Sequence, residues 1–386
     1  MWRSIASNGF NLLILLALLI GALAVWGKAQ YYNAGPLGNA ICLQVDRGTT
    51  MRSLSQTLYE KNAISSAPIF RMGAEYSGKA GDLKAGNFLL DTAISMADIT
   101  EIVTKGGANS CGAEVVYRIG ITATQVQVRE MDPSTSQFEE KVSFTLGQDA
   151  PEAFKELSQE VGIRHRLAIA EGVTSFKIVE ALNEIDVLSG EVLNIPPEGT
   201  LAPDSFELRQ GDDRQALLLK MQAAQEAILN EAWDQREEGL PITSKEDALI
   251  LASIIEKETG QTDERALVAS VFVNRLKKGM PLQTDPSVIY GITLGKDILG
   301  RGLRQSELRK DTPWNTYVNK GLPKTPIANP GRKSILAAVS PAQSDYLFFV
   351  ADGSGGHAFA VTLAEHNKNV AKWRAIEAER RNSQGD

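Results

Sequence analysis

The sequence predicts an α+β chain: an N-terminal transmembrane helix, a small α/β module behind it, and a larger mixed region of helices and strands, with a cleft, toward the C-terminus. Three observations predict this. Phe10 to Trp26 reads FNLLILLALLIGALAVW, seventeen residues of which only Asn11 is polar. From Ile41 onward, short strand-like runs alternate with helix-period runs. From Ser244 onward, amphipathic helices alternate with loop-rich stretches and end in the hairpin-like DYLFFVADGSGGHAFAVT.

The apolar run at about 1.5 Å per helical residue is just long enough for a bilayer core of about 30 Å. It exceeds the h-region of an ordinary cleaved signal peptide, and Gly27-Lys28-Ala29 is a poor small-x-small cleavage site. Trp26, Tyr31 and Tyr32 suit an aromatic belt at the outer interface. Arg3 and Lys28 flank the run and orient it weakly, so the short N-terminal side makes export of the long C-terminal side the expected topology. We expect a short cytoplasmic tail at 1–9, the membrane helix at 10–26 and a Gly/Pro-containing linker at 27–40.

The first small module is expected at 41–110, with ICLQV as a strand and helices from about Thr50, around Pro68 to Tyr76 and from about Ser95. Part of it recurs at an offset of 124: Gly48, Thr50, Leu54, Leu58, Ile64 and Ser65 correspond to Gly172, Thr174, Ile178, Leu182, Leu188 and Ser189. A second small α/β unit is therefore expected at 163–243. Between them, 111–162 alternates apolar residues on both sides of MDPSTSQ and reads as a hairpin-like insertion. The region 244–386 is left to carry the chemistry. There we expect helices from Ser244 to Thr259, from about Glu264 to Lys278 and near Gly331 to Ala338, a loop-rich stretch up to Pro330 and a final helix over about Leu363 to Arg381.

The 386 residues are 43% hydrophobic and 23% charged, which is the composition of a folded protein and excludes a disordered one. The net charge of -7 gives no basic bias toward nucleic acid. Two cysteines and three scattered histidines (His165, His357, His366) offer no metal-ligand spacing, so neither a metal nor a cofactor is expected. Cys42 and Cys111 bracket the first module and are expected to pair in an oxidising compartment.

Ser244 and Asp247 form a capping-box-like start, followed by the broad apolar surface of Ala248, Leu249, Leu251, Ala252, Ile254 and Ile255, and Gly260 ends the helix. Glu256 and Glu258 thus fall in its last turn. There the negative end of the helix dipole and burial both favour a protonated carboxyl. Periodicity does not choose between them: Glu256 lies over Leu249 and Ala252, Glu258 over Leu251, Ile254 and Ile255.

LILASIIEKETG, VASVFVNRLKKGMPLQTDPSVIYG, NTYVNKGLPKTPIANPG and YLFFVADGSGGHAFAVTLAEHNK, in that order, resemble the catalytic domain of the YceG-like family of endolytic murein transglycosylases. AEGVTSFKIVEAL and PEGTLAPDSFEL resemble further family segments, and the first module is similar to the family's LysM-like unit. The 111–162 insertion departs from the shorter family pattern. The resemblance implies that Glu256, the first Glu of EKET, is the catalytic acid and base. It also implies cleavage of the β-1,4 bond between N-acetylmuramic acid and N-acetylglucosamine in peptidoglycan, 1,6-anhydro ends and control of nascent strand length. The chain would sit in a bacterial inner membrane with its bulk in the periplasm, its partners being glycan strands and cell-wall synthases. Gln283, Thr284, Asp285, Asn315, Tyr317 and His357 are the candidate substrate-binding residues, each with turn capping or core packing as the alternative. A non-catalytic peptidoglycan-binding anchor and a hydrolytic muramidase are the competing functions.

Overall fold

The computed structural model describes residues 2–105, 111–158 and 162–383. Met1 of the expected tail, the boundary expected at 110 and the last three residues of the expected 244–386 region lie outside the described residues. The chain divides into two compact units: 1–115, 127–143 and 149–164 form the first, and 116–126, 144–148 and 165–386 the second.

Up to residue 157 the order is α1 (Trp2–Tyr32), β1 (Ile41–Val45), α2 (Met51–Glu60), α3 (Ala67–Tyr76), β2 (Gly86–Leu90), α4 (Met96–Lys105), β3 (Ala113–Ile119), β4 (Thr124–Asp132), β5 (Gln137–Thr145) and α5 (Glu152–Leu157). β1 and β2 pair antiparallel, Leu43 opposite Phe88. Their alternate residues meet Leu54, Leu58, Phe70 and Ile99 in one apolar core. The expected hairpin is present as β4 and β5. Cys42 and Cys111 are joined in a disulfide with their Cα atoms 5.8 Å apart.

α1 is long and apolar enough to cross a membrane between Leu12 and Tyr32. The side chains of Leu12, Leu15, Leu18 and Leu23 are all exposed. Its last turn is different. Tyr31 is buried, lies where a Cβ on Gly73 would stand, and donates its hydroxyl to Thr100 Oγ1 at 2.9 Å. The stretch expected as a linker is pinned as well: Gly35 N donates to Ala93 O at 3.0 Å, Ala93 N donates to Leu37 O at 2.8 Å, and Leu37 is buried.

The second unit contains β6 (Arg164–Ile169), α6 (Ser175–Glu184), β7 (Leu188–Ser189), β8 (Ser205–Leu208), β9 (Asp212–Asp213), α7 (Arg214–Asp234), α8 (Lys245–Glu258), α9 (Arg265–Lys277), α10 (Asp285–Thr293), α11 (Gln305–Leu308), α12 (Arg332–Val339), β10 (Phe348–Ala351), β11 (His357–Ala360) and α13 (Leu363–Ser383). β6 pairs antiparallel with β8, and β10 with β11. The 124-residue repeat is visible in local geometry. Gly48 and Gly172 both have positive φ, Thr50 and Thr174 both N-cap, and α2 and α6 begin and end at the same offset. Every residue of α8 from Ala248 to Ile255 is buried, as expected of a helix apolar on all sides. It is packed among α7, α9 and α12. The sequence reading missed α7 and left α10 and α11 inside a loop.

Candidate active site

α8 positions the two glutamates. Ser244 accepts from Asp247 N at 3.0 Å and Asp247 accepts from Ser244 N at 3.2 Å, so the capping box fixes where the helix starts. Fourteen residues later it ends, with Glu256 and Glu258 in its last turn.

Glu256 is held in an ion pair. Its Oε1 lies 3.2 Å from Arg265 Nη2, its Oε2 accepts the Gly331 N–H at 3.0 Å, and its side chain is only 5% exposed. Arg265, itself buried, also reaches Glu171 Oε2 at 3.3 Å and Ser334 Oγ at 3.1 Å. Burial first, and then the neighbouring Glu256 charge, push the Glu171 carboxyl above its ordinary range. Gly331 completes the arrangement: a Cβ there would stand 1.7 Å from Glu171 Oε1. This is a charge lock between the AEGV and NPGR segments, and it occupies both oxygens of Glu256.

Glu258 has opposite surroundings. The residue is half-buried, so part of it meets solvent, while protein crowds its carboxyl closely. Burial, with the Asp285 charge in second place among the raising causes, pushes its pKa up to about 7; the Thr284 hydroxyl, His357 and Arg275 pull against this without cancelling it. Arg275 forms no ion pair with it, because its Nε donates to Leu347 O at 2.7 Å and its Nη1 to Leu282 O at 2.8 Å. A glutamic acid titrating near neutrality is suited to giving and retaking a proton. The sequence expectation placed that role on Glu256, which is paired with Arg265; the carboxyl with the raised pKa is that of Glu258.

The other expected residues divide. Thr284 is buried at the N-cap of α10, its N–H donating to Thr316 Oγ1 at 3.0 Å and its own hydroxyl left for the Glu258 side. Asp285, at the first position of α10, accepts the Tyr317 hydroxyl at 2.6 Å. Burial and this hydrogen bond raise the Tyr317 pKa further, so the phenol stays protonated. Gln283 is exposed at a φ of 55°, a conformation that costs a non-glycine residue and often marks a working loop. His357 Nδ1 lies 2.7 Å from Glu264 Oε2, and its N–H donates to Glu264 Oε1 at 2.8 Å, so Glu264 fixes the ring near Glu258. Asn315 is not available to a ligand. It is 1% exposed and its amide nitrogen donates to the carbonyls of Glu307, Leu308 and Lys310 at 3.2, 3.1 and 2.7 Å. Asn315 therefore closes a loop, and its position beside Tyr317 in sequence is what made it look functional.

Sequence reasoning passed over Arg265, Glu171 and Glu264, which orient the site. The i, i+9 spacing of Glu256 and Arg265 across a helix turn carried no periodic signal.

The chain matches the YceG-like family over residues 43–372. It is 29% identical over 357 residues, 92% of this chain and 91% of the relative, to the endolytic murein transglycosylase of Bacillus subtilis (strain 168). To the endolytic murein transglycosylase of Streptococcus pneumoniae serotype 2 it is 27% identical, over 86% of this chain and 58% of the longer relative. A crystal structure of a yceG-like protein of Listeria monocytogenes superposes with a TM-score of 0.46 at 24% identity, covering 86% of this chain and 98% of that one. With the match spanning most of its length, this chain belongs to the YceG-like family.

Proposed function

We propose that the chain is an endolytic peptidoglycan transglycosylase that uses Glu258 as its single acid and base, anchored by α1 with both units on the outer face of a cytoplasmic membrane. The observation that carries this reading is a partly open glutamic acid with a pKa of about 7 at the end of α8, beside a second glutamate already committed to Arg265. Protonated Glu258 gives its proton to the oxygen of the β-1,4 bond as the bond from that oxygen to the muramic C1 breaks. The carboxylate then takes the proton of the sugar's own C6 hydroxyl as O6 bonds to C1. One strand leaves with a free 4-hydroxyl, the other with a 1,6-anhydro end, and no water is consumed. The N-acetyl group stabilises the oxocarbenium-like charge, so the second catalytic carboxylate of ordinary glycosidases is not required. Gln283, Asp285, Tyr317 and His357 line the approach to the sugar. The repeated strand–Gly–Thr–helix units act as LysM-like holds on glycan, and cutting within strands limits their length as synthases extend them. The names of the relatives support this substrate class.

The test uses the full chain in detergent with purified glycan strands and mass spectrometry of the products. Glu258→Gln loses about 10² to 10⁴ of the rate of anhydro-end formation while keeping the fold by circular dichroism. Glu256→Gln instead lowers the melting temperature. Reducing ends in place of anhydro ends would make the chain a hydrolase, and no product from any glycan would leave the non-catalytic anchor as the reading.

A further inference from the structure

α8 presents a third charged side chain between the two glutamates, Lys257, and neither carboxylate is paired with it. Lys257 borders a cavity of about 340 Å³, within the range of small-ligand sites. Val173, Ile289, Ile298 and Ile327 give this cavity largely apolar walls, and its rim carries Lys177, Arg301 and Asp297. The rim cations are committed: Lys177 pairs with Glu180 at 2.7 Å, and Arg301 holds Glu307 in a two-pronged pair. Lys257 is not. Its Nζ has only Gly172 O, at 3.4 Å, and among the described residues no carboxylate within 4 Å. Glu256 and Glu198 act on it only through space. Glu256 belongs to Arg265, and Glu198 to the Ser175 N–H at 2.8 Å and the Tyr290 hydroxyl at 3.2 Å. An ammonium has three donors, and two of them have no acceptor among the described residues.

We infer that this cavity holds the peptide stem of the muramic sugar, a stem carboxylate pairing with Lys257 and its alanyl methyl lying on the isoleucine and valine walls. The inference rests on the reading of the chain as a peptidoglycan transglycosylase. Methyl-lined walls with a single unpaired cation do not match a bare sugar, which asks for several polar partners, but they match a short acidic acyl-peptide. The location also fits. Lys257 and Pro286 line the cavity while their chain neighbours Glu258 and Asp285 form the candidate site, and adjacent Cα atoms are about 3.8 Å apart. A stem branching from the sugar next to the cut bond has that short distance to cover. Burial pushes the Lys257 pKa down, and a bound carboxylate would act against that shift.

The full chain in detergent is assayed on stem-bearing glycan strands and on the same strands stripped of stems by an amidase, which leaves the sugar's lactyl carboxylate free. Lys257→Met raises KM about tenfold on stem-bearing strands, the worth of one charge-assisted hydrogen bond, and leaves kcat and the stripped-strand kinetics unchanged. Ile298→Asp, at a side chain 53% exposed and so harmless to the fold, repels the stem and gives the same selective rise. Equal effects on both substrates, or none on either, overturn the inference; a Lys257 dependence that persists on stripped strands assigns the lysine to the lactyl carboxylate and overturns it too. A calorimetric titration separates this from the catalytic reading, because it needs no turnover. Glu258→Gln chain binds N-acetylmuramyl-L-alanyl-D-glutamate more tightly than N-acetylmuramic acid, and the added Lys257→Met removes the difference. No difference to remove would end the stem site even if the parent cleaves glycan.

Discussion

Glu256 and Glu258 are two residues apart and therefore about 200° apart around the axis of α8, which is why one enters the Arg265 lock and the other the surroundings of Thr284 and His357. A general acid must be protonated to act. With the Glu258 pKa at about 7, kcat should be level below that pH and fall about tenfold per unit above it. Asp285→Asn removes a neighbour that raises this pKa, so the descending limb should move to lower pH in a rate profile. The same carboxyl also affects stability. Its folded pKa lies above the unfolded value, so the folded state binds more protons between about pH 4.5 and 7, and stability is lost as pH rises through that window. Glu258→Gln removes the penalty. At pH 8 the variant should melt higher than the parent by an amount worth on the order of 2 kcal/mol, solvent access at this half-buried group reducing the full shift, and at pH 4 the two should coincide. Equal melting temperatures at pH 8 would show that the carboxyl is not desolvated. Periodicity carried the pair of glutamates and the resemblance put the acid at Glu256, but their different surroundings were not legible, because the Glu256 contacts come from Arg265, nine residues away, and Gly331, seventy-five away.

At the scale of elements, the site is held by cross-links between segments distant in sequence. Asn329 donates to Val173 O at 2.9 Å and accepts from Leu201 N at 2.9 Å, both buried. Asn329→Ala leaves these groups unpaired and should cost about 2 to 4 kcal/mol in denaturant unfolding. Gly331→Ala must displace Glu171 from Arg265 and should cost about 1 to 3 kcal/mol, with loss of activity beyond what the lower stability explains; an unchanged melting temperature would mean that the lock is loose. Helix α8 was legible because its capping box and its apolar run agree, and α9, α12 and the terminal hairpin because their apolar runs are bounded by glycine or proline. α10 was not, because Pro286, Gly291 and Gly295 read as breakers, although Pro286 stands in the first turn, where its missing N–H costs nothing. α7 was missed for another reason. Its buried face mixes Leu217, Leu218 and Met221 with Arg214 and Gln225, so the contrast between faces is weak.

For the molecule as a whole, the N-terminal apolar helix and the alternation of strands and helices after it were legible as an order of elements, whereas the interleaving of the two units through 111–164 was not, since pairing of long strands leaves little local trace. The disulfide spans 69 residues. Opening a loop of that length by Cys42→Ser and Cys111→Ser should destabilise by about 4 kcal/mol on the chain-entropy account, read as a lower melting temperature that reductant reproduces in the parent. α1 was expected to end in a linker, but Tyr31 is embedded between Gly73 and Thr100 and the chain after it is pinned to Ala93. The consequence is mechanical. With α1 in a bilayer, the first module stands on a rigid post instead of swinging on a leash, so its height and its compass bearing over the lipid are set by residue count. One alanine inserted after Trp26 would lift the module by about 1.5 Å and turn it by about 100° relative to the lipid-embedded stretch, whereas four would raise it about 6 Å and nearly restore the bearing.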